Sequence, residues 1–253
     1  MKKLIVLALA LILAVPALVY SDTFSFRLGY NMPKTSVDPN SLWDVEFSQM
    51  NFKKADFRGA IYGLSYEHFV TPQLSFSLTV ETATKDVSGV YMDWLANTVD
   101  SVDYAFPQAD FFGDYIPHVF HFSMTPLELS VKLTPLGRKS RIIPYVGGGV
   151  GLYFWTAGIR GETIDFSVPI TYTDADLVDW TVYAIQQSDS RESHMAIGYH
   201  AFGGIQVPIG YRFTVEAEAR YRWAKGSLTR WFTGFSDFEL GGLALTAGFS
   251  YWF

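Results

Sequence analysis

The chain has 253 residues, 25 acidic against 19 basic, a net charge of −6, no cysteine, and 17% each of aromatic and of charged residues. Without cysteine it has neither disulfides nor the lipid-accepting thiol of a bacterial lipoprotein. The acidic balance argues against nucleic acid, whose phosphates need a basic surface. Aromatics this frequent, with charges below the roughly 25% of soluble domains, suit a barrel embedded in a membrane.

Lys2 and Lys3, the unbroken apolar run Leu4 to Val15, and Pro16 before small residues have the layout of a secretory signal peptide. The expected cut follows Ser21, with Val19 and Ser21 at the recognition positions; Ala17 and Val19 are alternative sites. The run is shorter than the ~20 residues a spanning helix needs, which disfavours an uncleaved anchor. The expected domains are therefore a signal peptide, 1–21, and a β-barrel, 22–253, the latter with a charge of about −8 once the two lysines are gone. No later apolar run approaches that length, so a closed barrel is the mature chain's route into a bilayer.

Period-2 alternation recurs in the mature part, in segments near the length of a tilted barrel strand. Strands are expected at Thr23 to Tyr30, Arg58 to Phe69, Leu74 to Thr82, Phe120 to Leu133, Ile143 to Trp155, His194 to Val207, Tyr211 to Trp223 and Glu239 to Phe253. In the last, Phe253, Tyr251, Phe249, Ala247, Leu245 and Leu243 share one face; small or polar residues and Trp252 share the other. In the seventh, Thr214, Glu216, Glu218, Arg220 and Arg222 alternate with Phe213, Val215, Ala217, Ala219, Tyr221 and Trp223. Alternation alone fits a soluble sandwich or a lipocalin-type barrel as well, with the apolar face inward.

The connections separate these readings. Thr71-Pro72-Gln73, Pro135-Leu136-Gly137-Arg138 and Pro208-Ile209-Gly210 are short hairpin turns. The others, Asn31 to Phe57, Ala83 to Val119, Thr156 to Ser193 and Ala224 to Phe238, are long. That pattern predicts an all-β fold: a closed antiparallel transmembrane barrel of about eight strands, with short periplasmic turns, four long extracellular loops and both termini periplasmic. Within the third loop, Ala175 to Gln187 has the spacing of a short helix with Leu177, Trp180 and Ala184 to one side.

Phe249, Tyr251 and the terminal Phe253, with Pro144-Tyr145-Val146-Gly147-Gly148-Gly149-Val150-Gly151-Leu152, resemble the OmpA/OmpX/OmpW-type small outer-membrane barrels of Gram-negative-type bacteria. The resemblance covers nearly all of the mature chain as a pattern of strands and turns, and it is specific for fold and location. It implies outer-membrane lipid as surroundings and recognition of Phe249, Tyr251 and Phe253 by the barrel-assembly machinery. The loops here are larger than in the most compact members, and an anchoring role through a peptidoglycan-binding domain after Phe253 is not expected.

Charges of both signs fall on the inner face: Arg27, Glu67, Glu81, Glu128, Lys132, Glu216, Glu218, Arg220 and Arg222. An eight-stranded interior is just wide enough for side chains to fill, so these are expected to pair as a plug; the alternative is a narrow gated pore. Gly147, Gly148, Gly149 and Gly151 lie inside a strand, not at a strand-to-helix turn, and so read as lumen space beside bulky neighbours, not as a phosphate cradle.

His118, His121 and Ser123 invite comparison with outer-membrane lipid A deacylases and proteases, but no orienting carboxylate can be assigned from one sequence. Asp174, Asp176 and Asp179 lack the glycine and terminal glutamate of an EF-hand loop. Trp43, Phe47, Tyr91, Trp94, Trp180 and Trp231 spread aromatics over all four loops, for packing or for ligand contact. The expectation is a non-enzymatic outer-membrane protein with a mostly occluded lumen, no cofactor, no metal and no catalytic set; its surface ligand is left open. A passive channel for small molecules, apolar ones included, which the OmpW-like resemblance implies, and a lipid-modifying enzyme using His121 and Ser123 are the competing readings.

Overall fold

The computed structural model describes residues 22–35, 38–137 and 140–253. Residues 1–21, on which the expected signal peptide falls, and Arg138 of the second turn lie outside them. The strands are β1 (Thr23–Pro33), β2 (Gly59–Phe69), β3 (Leu74–Val99), β4 (Val102–Pro107), β5 (Asp114–Leu133), β6 (Ile143–Thr173), β7 (Asp179–Ile209), β8 (Phe213–Gly226), β9 (Phe238–Glu239) and β10 (Gly242–Trp252). Eight of them close an antiparallel ring in the order β1-β2-β3-β5-β6-β7-β8-β10 and back to β1. Closure pairs every ring strand on both sides, the condition for crossing hydrocarbon with strands. Among the described residues no helix is long and apolar enough to cross a membrane.

The faces are inverted relative to a soluble barrel. On β1, Phe24, Phe26, Leu28 and Tyr30 are exposed while Thr23, Ser25 and Arg27 are buried in the lumen. The other ring strands repeat that order, as expected from the alternation in β8 and β10. The short turns also match: Thr71 Oγ1 accepts from the N–H groups of Gln73 and Leu74, and Gly137, at φ 63°, donates its N–H to the Thr134 carbonyl at 2.9 Å.

Four strands are much longer than expected. β3 and β5 run 26 and 20 residues, and β6 and β7 run 31 each, against the 9–11 or so that a tilted strand needs to cross. The connections Ala83 to Val119 and Thr156 to Ser193, expected as loops, are mostly strand. Above the bilayer the outward positions become polar, so the apolar alternation that marks a membrane strand stops while the ladder continues. The added β4 pairs with β3 through Trp94↔Pro107 to Val99↔Val102 and touches β7 at Tyr104↔Ala184. A second closed ring of five strands, β3-β4-β7-β6-β5, therefore stands as a turret on half of the first.

The helix expected over Ala175 to Gln187 does not form. Leu177 sits at φ 61° in a turn, a conformation no helix contains, and Asp179 onward is strand. Thr181, Val182, Tyr183 and Ile185, β-branched or aromatic, explain the preference. The helix that does form is α1 (Leu42–Gln49), in the first connection. Ser41 caps it by accepting from the Asp44 N–H at 3.1 Å. A 3-10 turn follows at Lys54–Phe57.

Candidate functional site

The lumen is filled in two layers. In the lower layer the nine predicted charged residues come together, every one buried. Arg27 Nε lies 2.7 Å from Glu216 and its Nη1 3.0 Å from Glu218. Arg220 joins Glu218 at 2.7 Å and also holds Glu128. Arg222 bonds Glu128 at 2.8 Å through Nε and Glu81 through Nη2. Lys132 pairs with Glu67 at 2.8 Å. The chain of contacts runs from β1 across β8 to β3 and β5, so opposite walls of the ring are bonded through the middle. Buried charges persist only when paired in this way.

Several partners in this layer were not singled out from the sequence. The Tyr145 and Tyr153 hydroxyls donate to Glu218 and Glu128, each at 3.0 Å, and Gln206 donates to Glu216 at 2.9 Å. They share the inward parity of the glutamates, which was the available signal. The glycines give their rings room: a Cβ on Gly204 would fall 2.6 Å from the Tyr145 ring, and one on Gly147 2.4 Å from that of Phe202.

Ser130, His200 and Glu128 have the residue types of a nucleophilic triad. Ser130 Oγ is 2.7 Å from His200 Nε2, and Nδ1 is 3.7 Å from Glu128 Oε1. All three are buried, Phe202 stacks on the imidazole at 5.9 Å, and Glu128 already serves two arginines and Tyr153. A substrate has no approach to this serine.

The upper layer is apolar. Helix α1 folds into the mouth and places Trp43, wholly buried, at the centre of an aromatic cluster: Phe238 stacks at 4.8 Å, Phe57 meets it edge-on at 4.9 Å, and Phe120 lies at 5.3 Å. Its Nε1 donates to the Glu239 carbonyl at 3.3 Å. The helix is tied to the wall by Glu46, whose carboxylate lies 2.8 Å from His118 Nε2 inside the cluster. By sequence Trp43 and Phe47 are loop aromatics; the fold makes them part of a plug.

The fourth connection is clamped over this plug. Glu192, on β7 beyond the last lipid-facing side chain, accepts from the backbone N–H groups of Thr229, Arg230 and Trp231 and lies 2.7 Å from His194 Nε2. Burial alone would raise its pKa; these hydrogen bonds, the Thr229 N–H foremost, outweigh it and bring the pKa to about 2.

His118 and His121 face opposite ways. His118 is inside with Glu46, whereas His121 shares the outer face with Ser123 and contacts Asp86 through Nδ1. No hydrogen bond joins His121 to Ser123 among the described residues. Asp174 accepts from Trp180 Nε1, 2.8 Å away, and from the N–H groups of Val178 and Asp176; the first two hold its carboxyl below the usual range. Asp179 accepts from Thr173 instead. Among the described residues no group of three or more acidic or histidine side chains is placed to hold a metal ion.

No protein-family profile and no curated protein sequence matches the chain. The fold does match solved structures. The outer-membrane protein OprG of Pseudomonas aeruginosa aligns over 92% of this chain and 96% of its own, with a TM-score of 0.51 and 12% identity. Neisserial surface protein A aligns at TM-score 0.46 and 13% identity, covering 92% and 97% of the two chains. The amino-terminal barrel domain of OprF from the same Pseudomonas aligns at 0.41 and 12%, over the same shares. At these identities the likeness is one of fold: the small outer-membrane barrel.

Proposed function

We propose that this chain, which has the fold of the small outer-membrane barrels, is a non-enzymatic surface protein whose lumen is closed by its own side chains and whose contacts are made above the membrane. The observation that carries the reading is the stacking of two plugs in one lumen, the ion-paired layer beneath the Trp43 cluster. Ions entering from outside meet first an apolar barrier and then charges already committed to one another. The belt of Phe24, Phe26, Leu28 and Tyr30 supports lipid as the surroundings. The three short turns on one side, with both chain ends, support a periplasmic position for the termini, and the turret then stands outside the cell. Phe249, Tyr251 and Phe253 would serve as the signal read by the barrel-assembly machinery.

Planar-bilayer recordings on the purified full chain test the closed lumen. No stable open state is expected; a steady single-channel current would overturn it in favour of a passive channel. Membrane fractionation with boiled and unboiled electrophoresis tests location. Outer-membrane recovery with a heat-dependent mobility shift is expected, and recovery in the soluble periplasm would refute it.

A further inference from the structure

The turret ends in an apolar tip. The 108–113 connection and the 174–178 turn meet there: the Phe111 ring packs edge-on against Trp180 at 5.0 Å and on Phe106 at 4.8 Å. Phe106 in turn meets Tyr172 edge-on at 5.1 Å. These rings and the Asp174 hydrogen bonds hold both segments in place. Their neighbours are turned outward, Phe112 being 98% and Leu177 85% exposed. They lie well beyond the lipid-facing belt, so bilayer contact does not account for them. Large apolar side chains held out in water on a scaffolded tip mark a contact surface.

The surrounding charge selects the occupant. Residues 91–117 contain five aspartates, residues 161–190 contain five aspartates and a glutamate, and neither segment has a lysine or arginine. Among the described residues none of these carboxylates takes part in an ion pair. Asp100, Asp110, Asp114 and Asp176 accept no side-chain hydrogen bond there either. Such a surface repels phosphates and acidic chains and attracts cations over roughly a Debye length, about 8–10 Å at physiological salt.

We propose that the turret tip is a docking surface for a cationic polypeptide bearing apolar side chains, with Phe112 and Leu177 as the apolar anchors and the surrounding aspartates as the steering field. The inference rests on the reading that the protein acts through its surface, and names the class of partner.

The test uses the full chain in nanodiscs of zwitterionic phosphatidylcholine, with empty discs as the blank. The probes are a fluorescent leucine–lysine peptide, a leucine–glutamate peptide of the same length, and calcium alone. Saturable binding of the leucine–lysine peptide is expected, weakening at least about ten-fold between roughly 50 and 500 mM salt as charge is screened. F112S/L177S should weaken binding about ten-fold, as loss of an interface anchor does. D100N/D110N/D114N/D176N should weaken it and flatten the salt dependence. Both variants are compared only after they show the heat-dependent mobility shift of the folded barrel.

Equal affinity for the two peptides, insensitivity to both variant sets, or uptake of calcium without peptide would each overturn the proposal. Failure to bind by a non-conducting protein defeats this inference alone. A steady current from protein that still binds the peptide defeats the closed-lumen reading and leaves this one standing.

Discussion

The Asp22 N–H donates to the Phe253 carbonyl and the Phe253 N–H donates back to Asp22, both at 3.0 Å. This pair continues the β1–β10 ladder, in which Thr23 faces Trp252, by one rung. Deleting Phe253 removes one rung at the short-turn end of the seam together with one member of the proposed assembly signal. Refolding into vesicles should therefore proceed to the same heat-shifted band, while recovery in the outer membrane of cells falls severalfold. Equal recovery in cells would remove Phe253 from the assembly signal.

Glu128 is the hub of the lower plug, holding Arg220, Arg222 and Tyr153 together. Glu128→Leu leaves buried guanidinium groups short of a counter-charge, at a cost of about 3–5 kcal/mol. The temperature at which the folded band converts to the unfolded one should drop clearly below that of the unaltered protein. An unchanged conversion temperature would mean that the layer contributes little to stability.

Trp43→Ala would empty the centre of the upper plug. Removing a fully buried tryptophan costs about 3–5 kcal/mol, and Trp43 is the residue through which α1 joins the aromatic cluster. Protease sites between residues 38 and 57 should then become cleavable while the membrane part stays folded. If those sites stay as protected as in the unaltered chain, α1 is held by its other ties, Glu46 to His118 among them.

The clamp at Glu192 has a defined pH window. Its folded pKa, about 2, lies below the ordinary carboxylate value of about 4.3. Its stabilising contribution is complete above the ordinary value and is lost as pH falls through the folded one. Amide exchange at Thr229, Arg230 and Trp231, corrected for intrinsic rates, should be protected equally from pH 7 to about pH 5 and lose protection toward pH 2. Glu192→Gln should abolish that dependence and speed tryptic cleavage after Arg230 at neutral pH by roughly ten-fold, as expected for loss of charge-assisted hydrogen bonds. Protection independent of both pH and the substitution would show that the fourth connection is held elsewhere.

What could be read in advance follows the solvent. All eight ring strands were legible because lipid forces apolar side chains onto the outward positions, every second residue: Phe24 to Tyr30 and Leu243 to Phe253 leave little choice of register. Past Phe154 on β6 and Met195 on β7 the outside is water, so Thr156, Arg160 and Arg191 could occupy outward positions without marking a strand. The continuing inward pair Ala157 and Ile159 was too short beside Gly158 and Gly161 to show the ladder, and the next buried residue, Ile164, falls at the opposite parity. The nine lumen charges could be found by parity alone. His200, Ser130, Tyr145 and Tyr153 obey the same parity but lack full charges. Ser41 and Asp44 carried a helix-start signal for α1, yet nothing local says that a capped helix will turn down into a barrel.

Turret and membrane ring share β3, β5, β6 and β7 as uninterrupted strands; the β6–β7 ladder runs from Ile143↔Gln206 to Asp165↔Ala184 without a register shift. No linker separates the part that stands beyond the bilayer from the part held in it. A pull on the outer end is therefore borne in shear by many hydrogen bonds at once, and the molecule should behave as a stiff post rather than a tethered head.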